Sequence, residues 1–134
     1  MLLVKISELL SHFKVRLMFL DLDNNGYYEP TTKTILINCK LDETDCEKII
    51  LHELGHFILH QHLVPLYKMS VPHLKMEYEA NCFMIKQLID AYFDFGGTLE
   101  AINYVQFMNY YGISYEYEDV IKSILINYNE FLYV

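Results

Sequence analysis

His52, Glu53 and His56 stand in the stretch Leu51-His52-Glu53-Leu54-Gly55-His56, an HExxH pattern. On an α-helix, residues four apart share a face, so the two imidazoles can each direct one nitrogen at a single ion. Glu53 lies about 100° around such a helix from His52. It flanks the ion and can reach a water bound there, which is the position of a general base. The chemistry implied is zinc-dependent hydrolysis. It requires a third protein ligand, because three ligands plus water is the usual catalytic arrangement.

That ligand is sought in Lys75-Met76-Glu77-Tyr78-Glu79-Ala80-Asn81-Cys82-Phe83, which opens a second amphipathic run through Met84, Ile85, Leu88 and Ile89. Glu77 is preferred and Glu79 is held in reserve, since a straight helix cannot turn both carboxylates to one ion. Asn81 lies one turn beyond Glu77, where its amide can hydrogen-bond a ligand histidine and fix the ring. His60 continues the face of His52 and His56, but lies about 12 Å along the axis from His52. It is read as a packing or supporting residue. His12 and His73 are read as surface residues, the latter in a loop before the second helix. Tyr28, Tyr67 and Tyr78 are positions from which a hydroxyl could stabilise an oxyanion, and none is assigned a catalytic role.

Around these residues the pattern predicts an α+β, zincin-like domain. The HExxH helix is expected at about 44–61, with Thr44 as N-cap, Glu47 completing a capping box and Val64-Pro65 closing the run. Gly55 costs roughly 1 kcal/mol inside a helix against alanine, so a close neighbour is expected there, a strand by preference. Residues 2–13 read as an amphipathic helix, Val15 to Leu22 as a strand, Asn24-Asn25-Gly26 as a hairpin turn and Thr34 to Asn38 as another strand. A short antiparallel sheet is the expected result. Asp21 to Gly26 has acidic or amide groups at alternate positions, yet Thr32 occupies the place of the glutamate a calcium loop would need, so a solvated turn is expected. The region Tyr27 to Asn38 is a candidate for binding substrate by strand addition. After Gly96-Gly97, Thr98 to Tyr111 and Tyr115 to about Tyr128 read as two helices joined at Gly112.

HELGHFILH followed by Glu-x-Glu-Ala-Asn resembles the ImmA/IrrE metallopeptidases, gluzincin-like proteins of phages, mobile elements and bacterial stress regulation. The resemblance covers roughly residues 15–125. Ile35-Leu36-Ile37-Asn38 is similar to the strand that precedes their active-site helix, and Tyr110-Tyr111-Gly112-Ile113-Ser114 to their C-terminal helical hairpin. It implies Zn2+ held by His52, His56 and Glu77, with Glu53 as catalytic base. It also implies a protein substrate, a helix-turn-helix transcriptional repressor encoded nearby. Met84 and Leu88-Ile89-Asp90 depart from the family pattern beyond the ligands, where they bear on substrate fit.

The chain of 134 residues is read as one domain, 1–134, with no room for a separate DNA-binding module. No apolar run approaches the roughly 18 residues of a membrane span, and Lys5, Glu8, Lys14 and Arg16 interrupt any secretory pattern. Three cysteines, Cys39, Cys46 and Cys82, suit neither a disulfide framework nor a cysteine-rich zinc site, so reduced thiols and a cytoplasmic location are expected. The net charge of −8 opposes direct nucleic-acid binding and favours a basic protein partner. Residues 98–134 carry Glu100, Glu116, Glu118, Asp119 and Glu130 against Lys122, so the final helical pair is not expected on DNA. Two other readings stand beside the peptidase. One is a non-proteolytic metal-binding regulator that relieves repression by binding the repressor. The other is a metal-free helical interaction module in which HELGH is accidental.

Overall fold

The α+β class expected from the sequence is the observed one: five α-helices and a small three-stranded mixed sheet. The computed structural model describes residues 2–60 and 70–132, with side chains over 4–60 and 74–128. Its contacts group into two compact units, Met1–Met84 and Ile85–Val134.

In the first unit, α1 (Leu2–Phe13) buries Ile6 and ends at Lys14, whose positive φ of 57° is a left-handed stop. The Val15 N–H returns to the Leu10 carbonyl and closes the helix end. Three strands follow: β1 (Arg16–Leu20), β2 (Gly26–Glu29) and β3 (Thr34–Asn38). β2, a strand beyond the two expected, pairs antiparallel with β3, with Tyr28 opposite Ile35; the antiparallel pairing expected of the Val15–Leu22 and Thr34–Asn38 strands does not form. β1 instead joins β3 in parallel, with Leu17 opposite Ile35, so the order is β1-β3-β2. Asn24-Asn25-Gly26 therefore does not join neighbouring strands as a tight hairpin. It carries the chain past the end of β3, where Asn38 N–H bonds the Asn25 carbonyl and Cys39 N–H the Leu20 carbonyl.

β3 takes the centre because Ile35 and Ile37 are both 0% exposed on the face toward the helices. On β1, Met18, Phe19 and Leu20 remain exposed. Gly26 starts β2 against β3, and a Cβ there would sit 2.6 Å from the Leu36 carbonyl oxygen, so the side chain must be absent. The β2–β3 turn is organised by Glu29, whose carboxylate accepts from the Thr31 amide, the Thr32 amide and the Thr32 hydroxyl at 3.1, 2.7 and 2.6 Å.

The HExxH helix, α2, spans Glu43–His60 and packs on β2, β3 and α1 through Ile50, Leu51, Leu54 and Phe57. Its N-cap is Asp42, whose Oδ1 accepts from the Asp45 amide at 2.8 Å, in place of the Thr44 cap expected. Val64-Pro65 lies outside the described residues. The next helix, α3 (Ser70–Asp94), begins before the expected Lys75, so His73 falls in its first turn and not in a loop.

The second unit buries Ile85, Leu88 and Ile89 of α3 and, from the later elements, Met108, Tyr117 and Ile121. Gly96 ends α3 with a positive φ of 94°. Thr98 to Ile102 is not helical as expected: Tyr92 holds it, the tyrosine hydroxyl donating to the Thr98 carbonyl. Asn103 then caps α4 (Tyr104–Tyr111), and Gly112 closes it with a φ of 64°. A 3₁₀ turn at Tyr115–Tyr117 leads into α5 (Glu118–Leu132), completing the helical pair. Tyr128 donates to Asp90 and stacks on Phe93 at 4.2 Å between ring centres.

The Glu29 turn gives a pH signature. Hydrogen bonds from the Thr32 hydroxyl and amide, then from Thr31, hold the Glu29 carboxyl down at about 2, below the ordinary glutamate value of 4.5. A depressed folded value stabilises above the unfolded value and is lost as pH falls through the folded one. Urea unfolding should therefore find the protein more stable than Glu29→Gln above pH ~4.5, with the gap closing toward pH ~2. A pH-independent gap would contradict this role for the carboxylate.

Candidate metal centre

Leu51 and Leu54 face the core of the first unit, which turns His52 and Glu53 to the opposite, half-buried side of α2. His52 and His56 stand one turn apart, their ring centres 4.7 Å apart and their planes nearly perpendicular. α3 brings Glu77 against both. Its Oε2 lies 2.9 Å from His52 Nε2 and its Oε1 lies 2.7 Å from His56 Nε2. One ligand atom from each residue lies within 4.8 Å of the others, and this is the one such group of histidine, cysteine and carboxylate side chains among the described residues. Two imidazole nitrogens and one carboxylate oxygen are a donor set suited to zinc.

Helix packing sets the approach. A Cβ on Gly55 would lie 3.2 Å from both Cα and O of Ala80 and 3.1 Å from the Phe83 ring. The close neighbour expected at Gly55 is thus the backbone of α3, not a strand. With no side chain on Gly55 and only a methyl on Ala80, the helices come near enough for Glu77 to span both histidines.

The remaining nitrogens of the ring pair are also occupied. His52 Nδ1 lies 2.7 Å from Asn81 Oδ1, the contact expected from the four-residue spacing of Glu77 and Asn81. An amide oxygen only accepts, so His52 donates its Nδ1–H to Asn81, and Nε2 is the nitrogen turned toward Glu77. His56 Nδ1 lies 3.0 Å from His60 Nδ1, so His60 touches a candidate ligand and does not merely pack. Its position four residues past His56 was the available signal. Glu79 does not join Glu77; its Oε1 lies 3.7 Å from His60 Nε2.

Glu53 is half-buried beside the histidines, and the Tyr28 amide of β2 donates to its carboxylate. Burial raises the Glu53 carboxyl above its ordinary value; His52 and His56 oppose this, Glu77 adds to it and the Tyr28 hydrogen bond opposes it. For His52, burial pulls the imidazole down, but the Glu77 carboxylate, with Glu53 and Asn81, outweighs it and the net shift is upward. The Cys82 thiol is pushed up by burial, with Tyr78 opposing and Glu79 adding, so it is protonated near neutrality and offers no thiolate. Tyr78 is exposed, and His12 sits on the surface at the end of α1 against Phe13. His62 and Tyr67 lie outside the described residues.

An HExxH helix beside a helix that supplies a carboxylate to the same point is the arrangement of the gluzincin class of metallopeptidases. The chain matches the family described as the IrrE N-terminal-like domain over residues 10–121, and it belongs to that peptidase family. No curated protein and no solved structure matches it.

Gly55→Ala tests the helix approach. Alanine gains roughly 1 kcal/mol of helix propensity, yet its Cβ meets α3 backbone at 3.2 Å, so Glu77 must shift by a few tenths of an ångström. Competition with a chromophoric chelator should show weaker zinc binding in a protein whose thermal unfolding is not impaired. Unchanged affinity would mean that the approach at Gly55 does not set the site.

Proposed function

We propose that the chain is a zinc-dependent metallopeptidase that hydrolyses a peptide bond in one specific protein, a helix-turn-helix repressor of a phage or mobile element. The observation that carries this reading is the convergence of His52, His56 and Glu77 on one point, with Glu53 held beside them. Bound there, Zn2+ would polarise a scissile carbonyl and acidify a water. Glu53 takes the proton of that water on its carboxylate and returns it to the leaving amine. Asn81 holds the His52 ring through its Nδ1–H, and Tyr28 N–H keeps the Glu53 carboxylate in place.

Substrate recognition is assigned to a sheet edge. β3 is paired on both sides, so of the region Tyr27 to Asn38 only β2 offers an open edge, and it lies against α2. A substrate strand laid on Gly26–Glu29 would bring its backbone toward Glu53. The net charge of −8 favours a basic, DNA-binding partner over nucleic acid itself. Both units are read as one peptidase domain, because the family match spans them. Cytoplasmic action is inferred from a DNA-binding substrate and from three free cysteines; among the described residues no helix is long and apolar enough to cross a membrane.

The test is incubation of zinc-loaded protein with the repressor encoded beside its gene, read by intact mass against Glu53→Gln. Fragments are expected with the wild-type chain only, while the variant keeps zinc and repressor binding and loses at least about a hundredfold in rate. An intact repressor held in a stable complex by both proteins would replace proteolysis with regulation by binding.

A further inference from the structure

α2 aligns three histidines, His52, His56 and His60, and His60 has the most enclosed environment of the three: it is 4% exposed. Its Nε2 is buried and makes no hydrogen bond among the described residues. A buried polar nitrogen without a partner is costly, and in a native structure it calls for a reason.

The reason follows from where the protons must be. His56 presents Nε2 to the ligand cluster, 2.7 Å from Glu77 Oε1, so a metal ion there requires Nε2 to be bare and the His56 proton to sit on Nδ1. That N–H points at His60 Nδ1, 3.0 Å away. Two N–H groups cannot face each other at that distance, so His60 Nδ1 must be the bare acceptor and the His60 proton must lie on Nε2. Nε2–H then faces Glu79, whose Oε1 stands at 3.7 Å, beyond a hydrogen bond but within reach of a side-chain rotation. Each ligand histidine has its own acceptor: Asn81 from α3 for His52, and the next turn of α2 itself for His56.

We propose that His60, backed by Glu79, is a positioning residue that fixes the tautomer and ring orientation of His56 for metal binding. This rests on the metal-centre reading above. Metal on His56 polarises its Nδ1–H, strengthens the bond to His60 and makes His60 Nε2–H a better donor, so Glu79 closes on it in the loaded protein. The line His56–His60–Glu79 carries no reacting atom; it holds the ring.

The test has two readouts, neither of them peptidase activity. The first is the zinc dissociation constant, by chelator competition, for the wild-type chain, His60→Leu, His60→Gln and Glu79→Ala. Leucine fills the buried volume but cannot accept, and a 10- to 100-fold loss of affinity is expected, in the range of an outer hydrogen-bond partner. Glutamine restores an acceptor oxygen and should recover most of that loss, whereas a merely structural role would be filled by the buried leucine as well as by glutamine. Glu79→Ala should fall between. The second readout is the nitrogen-15 shifts of the imidazole rings in the zinc-loaded wild-type protein, which needs no variant to fold. His60 should appear as the Nε2–H tautomer with a bare Nδ1. A His60 proton on Nδ1, or His60→Leu binding zinc as tightly as wild type, overturns the proposal and leaves the metal centre standing. Failure of the wild-type chain to bind zinc removes both.

Discussion

The candidate metal centre depends on one approach, that of α2 to α3 at Gly55 and Ala80. Donor groups on two helices reach a common point only when the helix axes are close, and side chains at the crossing set that distance. Here the crossing has no side chain on α2 and a methyl on α3, and the Ala80 backbone stands 3.2 Å from where a Cβ would be. Every polar contact between the two helices at the site follows from it: Glu77 on both histidines, Asn81 on His52 and Glu79 near His60. The propensity lost by placing glycine inside a helix is the cost of that geometry.

The sheet makes an independent contribution. Ile35 and Ile37 pin β3 under α2, and β2 follows on its far side, close enough to α2 that the Tyr28 amide reaches Glu53. The carboxylate assigned to proton transfer is therefore oriented by a strand, and the ligands by a helix. The two supports share only α2, so a change at β2 can disturb Glu53 while leaving His52, His56 and Glu77 together.

Much of this was legible in the sequence wherever a fixed periodicity joins the residues. Four-residue spacing put His52 beside His56 and Asn81 within reach of a ligand histidine, and the same geometry kept Glu79 out of the cluster that Glu77 enters. What escaped depends on contacts between segments. Nothing local to Val15–Leu22 distinguishes a strand that pairs with its successor from one that pairs with the strand after it, so the parallel β1–β3 ladder was not foreseen. Asp42 and Thr44 both have capping side chains near the start of α2, and only the backbone path selects Asp42. The glycine at 55 announced a close neighbour without saying which, and Thr98–Ile102 has a pattern compatible with a helix, whereas Tyr92 holds it in a turn.

β1 raises a separate matter, that of self-association. It is a sheet edge that shows Met18, Phe19 and Leu20 to solvent, with Phe19 53% exposed. Open, apolar edges of this kind template pairing between copies, and charge is a common guard against it. Arg16 and Asp21 bracket the strand, but the larger protection at neutral pH is the mutual repulsion of chains carrying a net charge of −8. That repulsion vanishes near the isoelectric point of about 5.1, so colloidal stability, unlike the fold, is weakest in mildly acidic solution.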